Sequence, residues 1–171
     1  DVTSGEVLAL MGANGSGKST IGKIITGAVV PDGGRVLLDG EEVSFSSPQV
    51  ARKAGISAVY QELSLVPDMT VAENVWLANE PVALGRVRRK ERKERTARLL
   101  SLFEGSVGPS VGPDSFVSAL SPSDRQIVEI LKALSREPRI MILDEATASL
   151  GARQVEHLFE LVGEWKAQGM A

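Results

Sequence analysis

One stretch of the sequence decides the fold: Gly12-Ala13-Asn14-Gly15-Ser16-Gly17-Lys18-Ser19-Thr20. It matches the phosphate-binding pattern GxxxxGK[ST], in which glycines let the backbone curl and turn successive N–H groups into a concave, electropositive nest. An apolar run at residues 6–11 precedes the stretch, and a helix-like run at residues 19–26 follows it. The motif requires this order of strand, loop and helix, so a glycine-rich turn that binds nothing is the weaker interpretation.

The residue types in this phosphate loop suit a polyphosphate with its metal. Free N–H groups at the start of the following helix complete the anion site, Lys18 would reach the β- and γ-phosphates, and Ser19 would place its hydroxyl on Mg²⁺. We predict that the nucleotide is bound by Gly12, Asn14, Gly15, Ser16, Gly17, Lys18, Ser19 and Thr20.

The composition of the chain limits the classes of protein to which this phosphate loop can belong. With 171 residues, 43% of them hydrophobic, the chain suffices for one compact domain or for a core with an inserted subdomain. The net charge of −3 argues against a nucleic-acid partner, and the absence of cysteine excludes disulfides and cysteine metal sites. No apolar run has the length of a membrane span, so we expect any membrane association to come through a partner.

The first third of the chain has the pattern of an α/β domain. Residues 5–11 predict a buried parallel strand, and Asp39-Gly40 predicts a type I′ turn between two hairpin strands. The further predicted elements are hairpin strands at 35–38 and 41–45, a short helix at 48–52 after Ser47, and a strand at 56–60.

From residue 61 to residue 120 the pattern is mainly helical. One predicted helix starts around Thr70 and ends before Pro81, and a second spans residues 86–103. The second carries eight basic residues, which suggest either a nucleic-acid or lipid contact or, in our preferred interpretation, a solvated face opposite a buried apolar stripe.

A second chemical motif lies near the other end of the chain. Residues 140–143 form an apolar run that predicts a buried strand, and Asp144-Glu145 follow at its carboxyl end, where ligands gather in parallel α/β sheets. Asp144 would hold Mg²⁺, and Glu145 would orient or deprotonate the attacking water. A surface turn is the alternative for an isolated acidic pair.

Together these motifs resemble the ATP-binding cassette family of transporter ATPases, over essentially the whole chain. Gln61 matches that family's glutamine loop, and the segment 60–74 is particularly similar to the monosaccharide-importer branch. The resemblance implies a P-loop α/β core with a mainly parallel sheet, an antiparallel hairpin and an inserted helical subdomain. The core would comprise residues 1–60 and 136–171, and the helical subdomain residues 61–135. It also implies that Gln61 contacts the metal and the water.

The sequence departs from the family at its signature motif. Where most members have Leu-Ser-Gly-Gly-Gln, this chain has Leu120-Ser121-Pro122-Ser123-Asp124, which is itself a good helix start. We expect Ser121 and Ser123 to contact ATP bound to a partner cassette, as the resemblance implies, although Asp124 brings negative charge to that end of the helix.

Two further differences concern the loop after the acidic pair and the ends of the chain. The family's aspartate in that loop is replaced by Gly151, and the only histidine, His157, lies in an apolar helical pattern, which predicts a structural role. The family's adenine-stacking aromatic residue and γ-phosphate histidine would lie outside residues 1–171. We therefore expect a fragment of a longer, amino-terminal cassette, weakly active or inactive by itself.

The resemblance implies a Mg²⁺-dependent ATPase subunit of a sugar importer, cytoplasmic and peripheral at the inner face of the membrane. Its implied partners are a second ATP-binding cassette, transmembrane permease subunits and, indirectly, an extracytoplasmic sugar-binding protein, with no nucleic acid. Two alternatives stay open at this stage: a regulatory nucleotide-binding cassette with weak or no hydrolysis, and a soluble cassette ATPase not tied to transport.

Overall fold

The computed structural model describes residues 1–83 and 85–171 and has an α/β fold. These residues form six α-helices and six short strands. The helices are α1 (Lys18–Ile25), α2 (Pro48–Lys53), α3 (Val71–Val75), α4 (Arg89–Ser101), α5 (Pro122–Leu134) and α6 (Ala152–Ala167). The strands are β1 (Val36–Leu38), β2 (Glu41–Val43), β3 (Ile56–Val59), β4 (Val82–Ala83), β5 (Arg86–Val87) and β6 (Ile140–Leu143).

The strands form three separate pairs. β3 and β6, far apart in sequence, pair in parallel, with Ile56 opposite Ile140 and Val59 opposite Leu143. β1 and β2 pair antiparallel, and the turn residues Asp39 and Gly40 have φ angles of 55° and 83°. Both angles are positive, as a type I′ turn requires, so the predicted hairpin is confirmed.

Helix α5 lies at the centre of the hydrophobic core. It packs on β3 and α3, and every residue from 126 to 134 is buried. The largest fully buried side chains of the core come from α4's end, α5 and α6: Phe103, Ile127, Ile130, Leu131 and Leu158. One continuous core therefore joins the end of β3 to the helices on either side of it.

The predicted strand at residues 5–11 is wrong for this structure. No strand pairs with this run anywhere in residues 1–83 and 85–171, and its apolar side chains are exposed, with Met11 at 92%. A strand is maintained by hydrogen bonds to a neighbour, and an apolar run cannot supply that neighbour by itself. The run nevertheless leads directly into the phosphate loop, as the motif requires.

The two predicted helices between residues 61 and 120 are shorter in the structure. α3 ends at Val75 rather than near Pro81, and α4 starts at Arg89 because Arg86 and Val87 form β5, which pairs with β4. The sequence pattern did not predict this hairpin. The basic face of α4 is largely paired with acids, for example Lys93 with Asp114, which supports the preferred interpretation of a charged outer face.

The segment before α3 is held by the buried side chain of Asn74. Its Oδ1 accepts a hydrogen bond from the Val66 N–H at 2.7 Å, and its Nδ2 donates to the carbonyls of Val66, Met69 and Thr70 at 3.0 to 3.3 Å. Asn74 is completely buried. In the described residues this amide is the one acceptor of the Val66 N–H, and it adds a donor to three carbonyls that also accept backbone N–H groups.

Replacing Asn74 by Ala should lower the free energy of unfolding by about 2–3 kcal/mol, since the Val66 N–H would lose its acceptor and three carbonyls would each lose a donor. Urea unfolding measures the loss. Asn79→Ala is the matched control, because Asn79 is exposed and its side chain makes one hydrogen bond in the described residues, to the Ser135 carbonyl. Its cost should stay below about 1 kcal/mol. Equal losses in the two variants would contradict the role assigned to Asn74.

Candidate functional site

The phosphate loop has the backbone geometry that its glycines predict. Gly15 and Gly17 have φ angles of 82° and 92°, in the left-handed region that favours glycine. At Gly12 the constraint is space, because an added Cβ would come within 2.6 Å of the Ser16 Oγ. Three of the predicted phosphate-binding residues are therefore glycines for identifiable steric reasons.

The phosphate loop continues directly into α1, and the charged Lys18 is the first residue of that helix. Gly17 is the N-cap, and no side chain caps the first turn of α1 in the described structure. The Lys18 Nζ donates hydrogen bonds to the carbonyls of Gly12 and Ala13, at 2.8 and 3.0 Å. Ser19 and Thr20 are exposed. An ammonium group and free N–H groups thus meet at one exposed helix N-terminus, which suits a bound anion.

The acidic pair leaves the sheet at the carboxyl end of β6. The parallel ladder extends one residue further, because the Asp144 N–H donates to the Val59 carbonyl at 2.9 Å. Asp144 is half-buried and Glu145 is exposed. Gln61, also exposed, follows β3 two residues after Val59. Asp144 and Gln61 therefore leave neighbouring strands at the same edge of the pair.

Glu145 has an unusual backbone conformation, with φ at 54°. This left-handed conformation is unfavourable for a residue with a Cβ, and such outliers concentrate at functional sites. It turns the chain out of β6 into the loop that leads to α6, in which the Ala148 N–H donates to the Glu145 carbonyl at 3.1 Å.

Helix α1 connects the phosphate loop to this sheet edge. Gly22 is buried, and a Cβ added there would lie 3.6 Å from the Ile142 Cγ2 of β6. At the other end of α1, the Thr26 hydroxyl hydrogen-bonds with the Tyr60 hydroxyl, just beyond β3. The helix that follows the phosphate loop is thus packed on the strands that carry Gln61 and the acidic pair. Lys18 makes its polar contacts with its own loop rather than with the acids.

The acids and the histidine do not form a metal site by themselves. Across residues 1–83 and 85–171, no group of three or more acidic or histidine side chains is arranged to hold a metal ion. The sequence predicts three oxygen donors for a metal: the Ser19 hydroxyl, the Gln61 amide and the Asp144 carboxylate. Such donors suit Mg²⁺, which is typically bound by one or two carboxylates together with substrate phosphates.

The signature segment 120–124 forms a capped helix start. The Ser121 Oγ accepts from the Asp124 N–H at 3.1 Å and donates to the Asp124 Oδ2 at 2.6 Å, and it lies 3.1 Å from the Ser123 Oγ. The Asp124 Oδ1 accepts from the Gly108 N–H at 3.0 Å. Asp124 is buried, so its charge faces inward to these donors rather than outward to a ligand.

The loop after the acidic pair is connected, through the Gln154 side chain, to the segment just before Gly108. The Gly151 N–H donates to the Gln154 Oε1 at 2.9 Å, and the Gln154 Nε2 donates to the Ser106 carbonyl at 2.6 Å. His157 has the structural role that its apolar pattern predicts. One ring nitrogen lies 2.7 Å from the Leu102 carbonyl, and its ring packs edge-on against Phe103.

A polar group that sequence reasoning missed lies between the glutamine loop and α5. Ser64, which is exposed, contacts both Glu129 and Lys132, which are almost fully buried. Burial lowers the pKa of Lys132 below its ordinary value, while the nearby Glu129 carboxylate opposes the shift. The available signal was two charged residues, three positions apart, inside an otherwise apolar helical run.

The fold and the site define the class of protein. A glycine-rich loop wraps the N-terminus of α1, and α1 packs on two parallel strands whose carboxyl ends carry Gln61 and Asp144. This is the arrangement of a P-loop nucleotide-binding domain.

Comparisons with known proteins define the family. The family model described as ABC transporter matches residues 1–148, and the chain belongs to this family. It is 45% identical to the ribose import ATP-binding protein RbsA 1 of Rhizobium johnstonii and 48% identical to the arabinose import ATP-binding protein AraG 1 of Burkholderia ambifaria. These alignments cover 99% and 100% of this chain. The chain spans about a third of the length of these relatives, 33% in each case.

Solved structures agree with this assignment. The chain is similar to the ATP-binding cassette MJ0796 in a dimeric, post-hydrolysis state bound to ADP and Pi, with a TM-score of 0.83 and 26% identity. The alignment covers 99% of this chain and 74% of that one. A nucleotide-free ATP-binding cassette from an ABC transporter matches with a TM-score of 0.78 and 27% identity, over 99% of this chain and 69% of the other. The predicted fold class and family are confirmed.

Replacing Asp124 by Ala should release the loop at Gly108, because the only side chain that accepts from the Gly108 N–H in the described structure is lost. Hydrogen exchange at that amide should become at least about tenfold faster. Asp114→Ala is the matched control, since Asp114 is exposed and pairs with Lys93 on the surface. Unchanged exchange at Gly108 in the Asp124 variant would contradict the assigned contact.

Proposed function

We propose that this chain forms the nucleotide-binding part of an ATP-hydrolysing subunit in a sugar ABC importer. The observation that carries the proposal is the exposed anion site of Lys18 and the first turn of α1, in a chain of the ABC transporter family. The relatives named as ribose and arabinose import proteins favour this role over a regulatory or a soluble, transport-independent cassette.

In the proposed function, residues 12–20 bind the ATP phosphates through backbone N–H groups and the Lys18 ammonium. Ser19, Gln61 and Asp144 would hold Mg²⁺, which supplies neutralisation of the phosphate charge. Gln61 and Asp144 leave neighbouring strands at one edge, which supports a shared role. Glu145, exposed beside them, would orient the water in line with the γ-phosphate and accept its proton.

The signature segment would act on a second nucleotide. Ser121 and Ser123 stand at the exposed start of α5, where a helix N-terminus can bind a phosphate of ATP held by a second cassette. The dimeric cassette structure bound to ADP and Pi supports such a pairing by analogy. Within this proposal, residues 61–135 are the helical subdomain, and residues 1–60 and 136–171 belong to the nucleotide-binding core.

Transport itself would need membrane partners. In the described residues no helix combines the length and the apolar character of a membrane span. We infer that permease subunits provide the path, that a sugar-binding protein outside the cell delivers substrate, and that the cassette works at the inner face of the membrane. The names of the import relatives support a role in sugar import, on which these inferences depend.

Replacing Lys18 by Ala should weaken ATP binding by at least about tenfold, because a charge-assisted hydrogen bond to phosphate is removed. Calorimetry on the full-length protein, with and without Mg²⁺, measures the dissociation constant. Lys23→Ala is the matched control, since Lys23 is an exposed lysine on the last turn of the same helix. Equal affinities in the Lys18 variant and the wild type would reject the phosphate site.

Replacing Glu145 by Gln should lower ATP turnover by about 100-fold or more while ATP binding is retained, because the amide cannot accept the proton of the attacking water. Steady-state hydrolysis by the full-length protein, beside an ATP-binding assay, separates the two effects. Glu156→Gln, an exposed glutamate on α6, is the control. Undiminished turnover in the Glu145 variant would exclude its role in hydrolysis.

A further inference from the structure

Three polar residues meet where the glutamine loop lies against α5. The Ser64 Oγ donates to the Glu129 Oε1 at 2.6 Å, and the Ser64 N–H donates to the Oε2 at 3.1 Å. From the other side, the Lys132 Nζ donates to the Ser64 Oγ at 2.8 Å and to the Ser64 carbonyl at 2.9 Å. Every polar atom of Ser64 therefore contacts one of the two charged side chains.

Ser64 is exposed, but the burial of the two charged side chains that contact it argues against a purely stabilising role. Glu129 and Lys132 are only 6% and 9% exposed, and the residues around them in α5, such as Val128 and Ile130, are fully buried. Buried charges carry a desolvation cost that apolar residues of similar size avoid, so such pairs add little net stability. These charged side chains instead restrain the position of Ser64, since the hydrogen bonds to both of them form together only when the Ser64 backbone lies in this position.

The position of Ser64 matters because it connects the segment that contains Gln61 to helix α5, which begins after Ser121. Ser64 comes three residues after Gln61, which follows β3. Glu129 lies eight residues, about 12 Å along the helix axis, beyond Ser121, the N-cap of α5. The next part of the loop is also fixed to the helical side: the Val117 N–H donates to the Met69 carbonyl, and the Ser118 N–H to the Pro67 carbonyl. Only residues 61–63 remain between the sheet edge and this attached segment.

We propose that Ser64, Glu129 and Lys132 form a polar clasp that positions Gln61 relative to Ser121. The inference rests on the proposed function, in which Gln61 acts at the ATP bound to this chain and Ser121 at the ATP of a second cassette. The clasp residues contact neither nucleotide, so they are positioning residues. Through these three residues, the glutamine loop, which acts at the ATP bound to this chain, and helix α5, which acts at the ATP of the second cassette, move as one body.

The first test measures the geometry and needs no ATPase activity. The chain has no cysteine, so spin labels at Glu62→Cys and Ala119→Cys, two exposed positions, report the distance from the loop to the start of α5. Any cysteine elsewhere in the full-length protein is replaced first. Glu129→Gln should broaden a single narrow distance distribution, while Glu94→Gln, on the exposed face of α4, should leave it narrow. An unchanged distribution in the Glu129 variant overturns the clasp.

The second test separates positioning from folding in the same full-length protein. Ser64→Ala should lower kcat about tenfold while the dissociation constant for ATP changes less than twofold, because the phosphate site is intact and only the placement of Gln61 is loosened. Ser64→Thr keeps the hydroxyl and should restore most of the turnover. Ser101→Ala, an exposed serine on α4, is the matched control.

The outcomes distinguish the clasp from the proposed function. Equal losses of ATP affinity, turnover and melting temperature in Ser64→Ala would show a merely structural role and overturn the inference. A double variant, Glu129→Gln with Lys132→Met, should lose less than the sum of the two single variants, because each single change leaves one buried charge unpaired. If the wild-type protein hydrolyses no ATP, the proposed function fails, and the spin-label distances still decide the clasp.

Discussion

The burial of helix α5 is the constraint on which the rest of the structure depends. Because the helix is enclosed over residues 126–134, each polar group that it carries into the core needs a partner from elsewhere. Asp124 finds Gly108, Glu129 and Lys132 find Ser64, and the Ser135 hydroxyl, just past its end, donates to the Val75 carbonyl at 3.0 Å. The exception in the described residues is the buried Nε2 of Gln126, which has no hydrogen-bond partner. The surrounding loops are thus ordered by one helix, through polar contacts as much as through apolar ones.

This arrangement explains how a chain with little sheet can present several loops in defined places. The parallel pair β3–β6 supplies one edge, α1 brings the phosphate loop to it, and α5 fixes the glutamine loop at Ser64. Asn74 of α3 fixes the segment before α3. For a member of the ABC transporter family, these are the parts on which our proposed nucleotide chemistry depends. Rigid elements hold short loops, and the loops carry the chemistry.

Features that depend on local sequence were predictable, and features that depend on distant partners were not. The phosphate loop, the Asp39-Gly40 turn and the Ser121 cap each follow from a few adjacent residues. The apolar run at 5–11 failed as a strand because pairing requires a neighbour, and α4 was predicted to begin too early because β5 pairs with β4. For the candidate site, motif spacing identified Lys18 and the acidic pair, whereas the partnership of Ser64 with α5 emerges only from packing.

The left-handed backbone at Glu145 has an evolutionary consequence. A residue with a Cβ loses roughly 1–2 kcal/mol in this conformation, and glycine would avoid that loss. Selection for folding alone and selection for a carboxylate therefore act in opposite directions at this one position. In a mutant library enriched only for thermal stability, glycine should accumulate at residue 145, and under the proposed function the same library enriched for ATP hydrolysis should discard it. In that function, residue 145 is a position where a carboxylate is retained at a cost in stability.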